Sequence, residues 1–306
     1  MEKINFVEKM PNPLRGMLTL LTPETYKELQ EIRLRVGQPI LLRIRGENCG
    51  LNEKGICHKE VSYKVRRQDL DNLLKCISDF SLYALEDELR QGFITVEGGH
   101  RIGIVGKAVV THQEVKTLKY ISGMNIRIAH EVLGCSNEVM PYIVGRSRVY
   151  HTLIVSPPGC GKTTLLRDIV RGLSYGYHGF GPYTVGVVDE RSEIAACYLG
   201  VPQNDLGPQC DVLDNCPKSE GMRMLLRAMA PEVVAVDEIG HAEDIAAIEE
   251  MLCAGVSILC TVHGRSLEEC QQKPFLNKLI MNNAFERIII LSHRKGPCTI
   301  EDIIKY

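Results

Sequence analysis

A short segment rich in proline and glycine, SPPGCGKTT at 156–164, separates two apolar segments, TLIV at 152–155 and LLRDIV at 165–170. This order predicts a buried strand, a tight loop and then a helix from Thr163 to about Gly172. The first N–H groups of a helix lack intrahelical partners, and the helix dipole makes that end positive. A loop in this place therefore suits an anion. A plain surface turn, which proline and glycine also favour, is the alternative.

The same segment follows the phosphate-loop pattern G-x-x-x-x-G-K-[ST], except that Ser156 stands where the first glycine is expected. That first position forms the entry turn, so we interpret the segment as a phosphate-binding loop. Lys162 is expected to reach the β- and γ-phosphates of a nucleotide, and the Thr163 hydroxyl is expected to bind Mg²⁺. The thiol of Cys160 is expected near the loop mouth. The predicted nucleotide-binding residues are Ser156, Pro157, Pro158, Gly159, Cys160, Gly161, Lys162, Thr163 and Thr164.

A second apolar run, VVAV at 233–236, ends in Asp237 and Glu238. Functional groups of a parallel sheet lie at the carboxyl ends of its strands, which predicts that both carboxylates lie beside the loop. Asp237 is expected to hold Mg²⁺ through water, and Glu238 to polarise the attacking water. A solvated strand end followed by a helix cap is the alternative.

Two further strand-like runs also end in polar residues. VGVV at 185–188 is followed by Asp189, Glu190, Arg191 and Glu193, and the run at 258–262 contains Thr261 and is followed by His263. The three carboxylates and the arginine are expected to position water or Mg²⁺, and the histidine to sense the γ-phosphate. A solvated strand end and a structural histidine are alternatives that the spacing leaves open.

The length of 306 residues exceeds that of one typical domain, and the hydrophobic pattern changes near residue 150. We predict an α+β domain over 1–132, a linker over 133–148 and a parallel α/β domain over 149–306. Predicted strands of the second domain are 152–155, 183–188, 233–236, 257–262 and 287–291, and its predicted helices are 163–172, 219–230, 242–254 and 266–280. In the first domain we predict a hairpin over 31–47, a helix over 67–92, and strands over 92–110 and 124–132.

Composition excludes several classes of protein. The net charge of −2 gives no general attraction to nucleic acid or anionic membrane, so no nucleic-acid partner is expected. No apolar run approaches the roughly 18 residues of a membrane span, and the N-terminal MEKINFVEKM lacks a signal-peptide core. The twelve cysteines show no metal-binding spacing. A cytoplasmic protein is expected.

Together the motifs resemble the secretion-ATPase superfamily, the hexameric motors of type II and type IV secretion and of pilus assembly. Four motifs occur here in the same order as in the family. They are the phosphate loop SPPGCGKT, the acidic box VVDERSE, the Mg-binding strand VVAVDEIG and the histidine box TVHG. EIRLRVGQPILLRIRGE is similar to the first hairpin of pilus-motor N-domains, so the resemblance covers nearly the whole chain. It implies an α/β protein with a RecA-like ATPase domain after a smaller α+β domain, with ATP and Mg²⁺ as ligands and a homo-hexamer as assembly.

The resemblance also assigns residues in the first domain. Arg101 in HRIGIV and Arg127 in NIRIAH match the N-domain arginines that these rings place near the phosphates, although plain strand residues are the alternative. The motors usually carry Gly-Glu where this chain has Asp237-Glu238. Whether Glu238 or an acidic-box carboxylate such as Glu190 is the main base therefore stays open.

The chain also resembles a sporulation branch of this superfamily found in endospore-forming bacteria. The segments that carry this resemblance include DVLDNCPKSEGMRMLLRAMAPEVVAVDEIG and GMNIRIAHEV. That resemblance implies an ATP-hydrolysing motor or assembly ATPase on the mother-cell side, peripheral to membrane-bound channel proteins that lead into the forespore. Two alternatives are a nucleotide-regulated scaffold with negligible turnover and a nucleic-acid-dependent ATPase. The near-neutral charge disfavours the second, as does the short sequence after the last predicted strand, which leaves no room for a nucleic-acid module.

Overall fold

The protein, described by a computed structural model at residues 5–78, 86–111, 114–146 and 148–306, divides into two compact units. The first unit ends at His130 and the second begins at Glu131. Each unit contains one seven-stranded sheet. No helix within the four described ranges combines the length and hydropathy that a membrane span requires.

The first unit is built on a sheet in which every neighbouring pair is antiparallel, in the order β4-β3-β2-β1-β7-β6-β5. Its strands are β1 (Leu29–Arg35), β2 (Leu41–Ile44), β3 (Glu47–Asn52), β4 (Gly55–Cys57), β5 (Phe93–Val96), β6 (His100–Thr111) and β7 (Glu114–Arg127). Its helices are α1 (Asn5–Glu8), α2 (Leu14–Leu18), α3 (Pro23–Glu28), α4 (Arg67–Ile77) and α5 (Glu86–Gln91), with a 3-10 turn at Lys59–Val61.

The hairpin predicted over 31–47 is confirmed as β1 and β2. Ile32 pairs with Leu42, and both side chains are buried while Arg33 and Arg35 are not. Alternation of this kind is typical of a strand with one face on the core.

Two other predictions in this unit need correction. Of the strand predicted over 124–132, only 124–127 is strand, and it forms the end of the much longer β7, which pairs with β6 along most of its length. The helix predicted over 67–92 ends at Ile77 with Ser78 as its C-cap, and a second helix, α5, begins at Glu86. The intervening part of that prediction lies outside the described residues.

The second unit contains a sheet in the order β10-β9-β11-β12-β8-β13-β14, parallel except for the antiparallel edge strand β14. Its strands are β8 (Thr152–Ser156), β9 (Val185–Asp189), β10 (Cys210–Asp214), β11 (Val233–Val236), β12 (Ser257–His263), β13 (Arg287–Ser292) and β14 (Thr299–Lys305). Its helices are α6 (Met140–Ile143), α7 (Lys162–Tyr175), α8 (Lys218–Ala228), α9 (Ala242–Cys253), α10 (Leu267–Gln271) and α11 (Pro274–Met281).

Both faces of this sheet are covered, which explains why its strands are continuous apolar runs in the sequence. In β8, Ile154 belongs to one buried cluster, whereas Leu153 and Val155 belong to another. The five strands predicted for this part of the chain are confirmed as β8, β9, β11, β12 and β13.

Three features of the second unit differ from the sequence predictions. Strands β10 and β14 were not predicted, because both carry charged residues and lie at the sheet edges. The helix predicted over 266–280 is two helices, since Pro274 begins a new one at its first position. Within the predicted linker, Val139, Met140 and Ile143 are buried in the core of the second unit. The exact domain boundaries remain a prediction.

Candidate nucleotide-binding site

The phosphate loop lies between β8 and α7, in the predicted order of strand, loop and helix. Helix α7 begins at Lys162, one residue earlier than predicted, and Gly161 is its N-cap. The loop contains two left-handed glycines, Gly159 at φ +75° and Gly161 at φ +89°. All nine predicted nucleotide-binding residues therefore lie on one strand end, one loop and one helix start. Ser156 is fully buried at the end of β8 and donates its hydroxyl to the Pro157 carbonyl at 2.9 Å.

A distant turn lies directly against this loop. The Cys298 amide donates to the Cys160 carbonyl at 2.8 Å, and the Cys298 thiol donates to the Gly161 carbonyl at 3.4 Å. A Cβ atom at Gly161 would lie only 2.6 Å from the Cys298 sulfur, so glycine is required there for space as well as for φ. Cys160 itself is only 4% exposed, and the prediction that its thiol lies near the loop mouth is wrong.

Lys162 and Thr163 each contact one carboxylate of the Asp237-Glu238 dipeptide. Lys162 Nζ donates to Glu238 Oε1 at 2.6 Å, and Thr163 Oγ1 donates to Asp237 Oδ2 at 2.5 Å. The dipeptide follows β11, which is separated from β8 by the single strand β12. The expectation that the carboxyl ends of parallel strands bring these groups together therefore agrees with the observed geometry.

Thr261, on the intervening strand β12, fixes both acidic residues. Its buried hydroxyl donates to Asp237 Oδ1 and accepts a hydrogen bond from the Glu238 amide at 2.8 Å. Glu238 adopts a left-handed conformation at φ +54°, which is uncommon for a residue with a side chain. Strained backbone of this kind clusters at active sites and ligand-binding sites. From the sequence, Thr261 is recognisable only as a polar residue at the end of an apolar strand, and its contacts with Asp237 and Glu238 are a finding of the structure.

Three side chains that can carry positive charge surround the Glu238 carboxylate. Oε1 contacts Lys162 and also lies 2.9 Å from His263 Nε2, and Oε2 accepts from Arg191 Nη1 at 3.0 Å. Burial raises the pKa of Glu238, but the hydrogen bond and charge of Lys162, with the charges of His263 and Arg191, outweigh it. The Glu238 pKa therefore lies below its ordinary value, and the group is an anion at neutral pH.

His263 lies at the end of β12, as its position in the sequence predicts. Its Nδ1 atom is buried and has no hydrogen-bond partner among the described residues, while its backbone carbonyl accepts from Lys273. The imidazole thus presents Nε2 to Glu238. His263 Nε2 and Lys162 Nζ thus contact the same oxygen, Glu238 Oε1.

Asp189 has a different role from the predicted one. It is almost fully buried, and its two oxygens accept hydrogen bonds from the amides of Glu193, Ile194 and Ala195 at 2.8–2.9 Å. Burial raises its pKa, although the backbone hydrogen bonds oppose that effect. These partners are all backbone groups of the acidic loop, the segment 190–195 that follows β9. We therefore assign Asp189 to holding this loop in shape rather than to catalysis.

The acidic loop is held from a second side by Arg167 of α7. Its guanidinium donates to the carbonyls of Glu193 and Ile194 at 2.6 and 2.7 Å. The next residue after Asp189, Glu190, forms an ion pair with Lys218, whose side chain is 9% exposed. Sequence reasoning missed Lys218, because a lysine at a helix start carries no recognisable motif.

Arg101 and Arg127 lie in the first unit, opposite each other on β6 and β7. The Arg101 guanidinium lies 4.5 Å from the centre of the Phe93 ring, and Arg127 is exposed. Their predicted action at a neighbouring subunit's phosphates remains a prediction.

Comparison with solved structures defines the class of fold. The Legionella pneumophila ATPase DotB matches 86% of this chain and 72% of its own, with a TM-score of 0.54 and 16% identity. The pilus retraction motor PilT, solved with bound ADP, matches 87% of this chain and 75% of its own, with a TM-score of 0.57 and 16% identity. The chain thus has the RecA-like fold of the secretion ATPases, and the predicted fold class is confirmed.

Comparison with protein families is more specific. Residues 3–306 match the family described as Sporulation stage III, protein AA. Stage III sporulation protein AA of Bacillus subtilis (strain 168) is 41% identical over 296 residues, which cover 97% of this chain and 93% of that protein. The chain belongs to this family, and the predicted resemblance is confirmed.

Proposed function

We propose that the chain is an ATP-hydrolysing motor or assembly ATPase of a sporulation secretion-like channel complex. The proposal is based on two contacts. Lys162 Nζ lies 2.6 Å from Glu238 Oε1, and Thr163 Oγ1 lies 2.5 Å from Asp237 Oδ2. A cation for the phosphates, a pair of oxygen ligands and a carboxylate base are the parts that phosphoryl transfer to water requires. The similar proteins described above, a stage III sporulation protein, an ATPase and a pilus retraction motor, support this role.

Mg²⁺ fits the pair formed by Thr163 and Asp237. Hydroxyl and carboxylate oxygens are the ligands that this ion prefers, and with a nucleotide it needs only one or two from the protein. No group of three or more His, Cys, Asp or Glu side chains suited to a metal is found in the described part of the chain. When bound, Mg²⁺ would neutralise charge on the β- and γ-phosphates.

Groups of the protein itself have the remaining roles in the proposed hydrolysis. The loop amides and the start of α7 hold the phosphate chain, and Lys162 contacts the β- and γ-oxygens. Glu238 orients the attacking water and accepts its proton, with Glu190 as the other candidate base. His263 senses the terminal phosphate through its contact with Glu238. Incoming phosphates would compete with the Glu238 carboxylate for the Lys162 ammonium.

We propose a homo-hexameric ring on the mother-cell side of the cytoplasm, peripheral to membrane-bound sporulation channel proteins and without a nucleic-acid partner. In this ring Arg101 and Arg127 would act at the phosphates of the adjacent subunit. The exposure of Arg127 supports that role, whereas the packing of Arg101 on Phe93 supports a structural one.

The test of ATP hydrolysis compares the wild-type chain with Lys162→Ala and with Lys278→Ala, a control whose exposed lysine pairs with Glu249. Wild type and the control should bind and hydrolyse Mg-ATP, and Lys162→Ala should lose nucleotide binding. Binding with negligible turnover in the wild type would favour a scaffold. Hydrolysis that requires added DNA or RNA would favour the nucleic-acid-dependent alternative.

The ring is tested by sedimentation with Mg-ATP and by the dependence of activity on protein concentration. Activity should rise more than linearly as rings form, and Arg127→Ala should bind ATP yet hydrolyse it slowly. A monomer at every concentration, with linear activity, would exclude both the ring and the trans-acting arginines.

A further inference from the structure

The acidic loop places an arginine on the same carboxylate as the phosphate-loop lysine. Arg191 Nη1 lies 3.0 Å from Glu238 Oε2, while Lys162 Nζ lies 2.6 Å from Glu238 Oε1. One carboxylate thus contacts a lysine and an arginine, and His263 adds a third contact at 2.9 Å. The Glu238 carboxylate occupies an anion site built by residues from three different strand ends.

That anion site includes the lysine that a terminal phosphate would contact. Lys162 is the side chain that meets the β- and γ-phosphates in a loop of this pattern, so a phosphate oxygen bound there competes with Glu238 Oε1 for the ammonium. Arg191, which holds the other oxygen of the same carboxylate, is then within reach of the incoming phosphate. A guanidinium prefers such an anion, because it can form two parallel hydrogen bonds with phosphate oxygens.

The loop around Arg191 is suited to a side-chain movement on a fixed backbone. Asp189 and Arg167 hold the segment that follows through five hydrogen bonds to its backbone. The Arg191 side chain, in contrast, is 65% exposed, so its rotation changes little buried surface. The guanidinium can therefore change partners while the loop keeps its shape.

We propose that Arg191 is a cis-acting residue that distinguishes ATP from ADP: it pairs with Glu238 when the γ-phosphate position is empty and transfers to the γ-phosphate when ATP binds. This inference rests on the proposed ATPase function and adds a residue of the same subunit to it.

The test measures binding of ADP and of a non-hydrolysable ATP analogue, each with Mg²⁺, to the full chain and three variants. The variants are Arg191→Ala, Arg191→Lys and the control Arg223→Ala, whose arginine pairs with Glu250 at 2.9 Å on α8 and α9. Arg191→Ala should weaken binding of the analogue by about 10- to 100-fold, the range for a hydrogen bond to a charged group, and change ADP binding less than about twofold. Arg191→Lys should recover part of the loss, and Arg223→Ala should match wild type.

Equal affinities of wild type and Arg191→Ala for the analogue would overturn the inference and leave the ATPase proposal intact. An equal loss for ADP and the analogue would also overturn it, because Arg191 would then support the site without reading the γ-phosphate. Failure of the wild-type chain to bind either nucleotide would overturn the ATPase function and this inference together. Thermal unfolding followed by circular dichroism checks that each variant is folded.

Discussion

The backbone amide of Cys298 donates to the carbonyl of Cys160 at 2.8 Å, which anchors the turn between β13 and β14 on the phosphate loop. The hydrogen bond fixes the loop from outside its own strand and helix. It also explains why Gly161 has no space for a side chain, since the Cys298 sulfur fills the position of a Cβ atom.

Replacing Gly161 with alanine should therefore destabilise the second unit more than the same change at Gly159. Both glycines have positive φ, at +89° and +75°, and each alanine should cost about 1–2 kcal/mol for that reason. A Cβ at Gly161 also meets Cys298 at 2.6 Å, whereas a Cβ at Gly159 has nothing within 4 Å. Overpacking should add about 1–3 kcal/mol at Gly161 alone. Urea unfolding monitored by circular dichroism measures the difference, and equal losses would refute the role of Cys298.

Glu238→Gln should slow ATP hydrolysis by about 10²- to 10⁴-fold, because an amide is a poor base. The same change should tighten ATP binding, since the neutral amide competes less well than the carboxylate for Lys162 at 2.6 Å. Single-turnover hydrolysis and titration with a fluorescent ATP analogue measure the two effects. Glu190→Gln is the matched comparison. If it abolishes turnover while Glu238→Gln does not, the base belongs to the acidic loop.

The burial of Cys160 predicts slow reaction of its thiol with an alkylating reagent. Cys160 is 4% exposed, whereas Cys253 at the end of α9 is exposed and provides an internal reference. Labelling of Cys160 should be slower by at least about tenfold, because it requires local opening of the loop. Peptide mapping after brief labelling of the native protein gives both rates. Comparable rates at the two positions would mean that the loop opens readily without nucleotide.

Acid should weaken the first unit through His100. Burial, and secondarily His130, lowers the His100 pKa from 6.5 to about 4, and the ring accepts a hydrogen bond from the Ala129 amide at 3.0 Å. The unfolded chain then binds more protons than the folded one between these two pKa values, so stability falls as pH drops from 6.5 to about 4. The loss at the lower limit should reach about 3 kcal/mol, at 1.36 kcal/mol per unit.

The measurement is urea unfolding of the wild-type chain and of His100→Asn at several values across this pH range. Asparagine keeps an acceptor for Ala129 but does not titrate, so its stability should depend less on pH. His58→Asn, at a histidine whose side chain is 72% exposed, is the control and should retain the wild-type slope. A wild-type slope in His100→Asn would assign the acid sensitivity to other groups.

Sequence reasoning placed two kinds of site residue correctly: those that follow one another along the chain, and those at the ends of parallel strands. The loop, Lys162 and Thr163 follow one another along the chain, and Asp237 and Glu238 end a recognisable buried strand. Their meeting follows from parallel strands whose ends share one edge. No such rule predicts the contact of Cys298 with the phosphate loop or of Lys218 with Glu190. Each of these residues comes from a distant segment and belongs to no recognisable sequence motif.

Asp189 illustrates a different limit. A carboxylate at the end of a buried strand has the same sequence signature whether it meets a ligand or the backbone, and here the amides of Glu193, Ile194 and Ala195 occupy it. In the fold, β10 and β14 were missed for a related reason. Edge strands need not be apolar on both faces, and their charged residues weaken the pattern on which strand prediction depends.

The position of β8 in the sheet has a consequence for biosynthesis. Among the described strands, the one that leads into the phosphate loop pairs with β12 and β13 alone. The pairing partners of Thr152, which are Leu259 and Arg287, are therefore synthesised long after it. At ribosomal speeds the first of these partners emerges on the order of 5–20 s later. During that interval the apolar TLIV segment has no sheet to join, and the loop has no fixed shape with which to hold phosphate. We therefore expect ATP to stabilise the chain only after β12 and β13 have been synthesised.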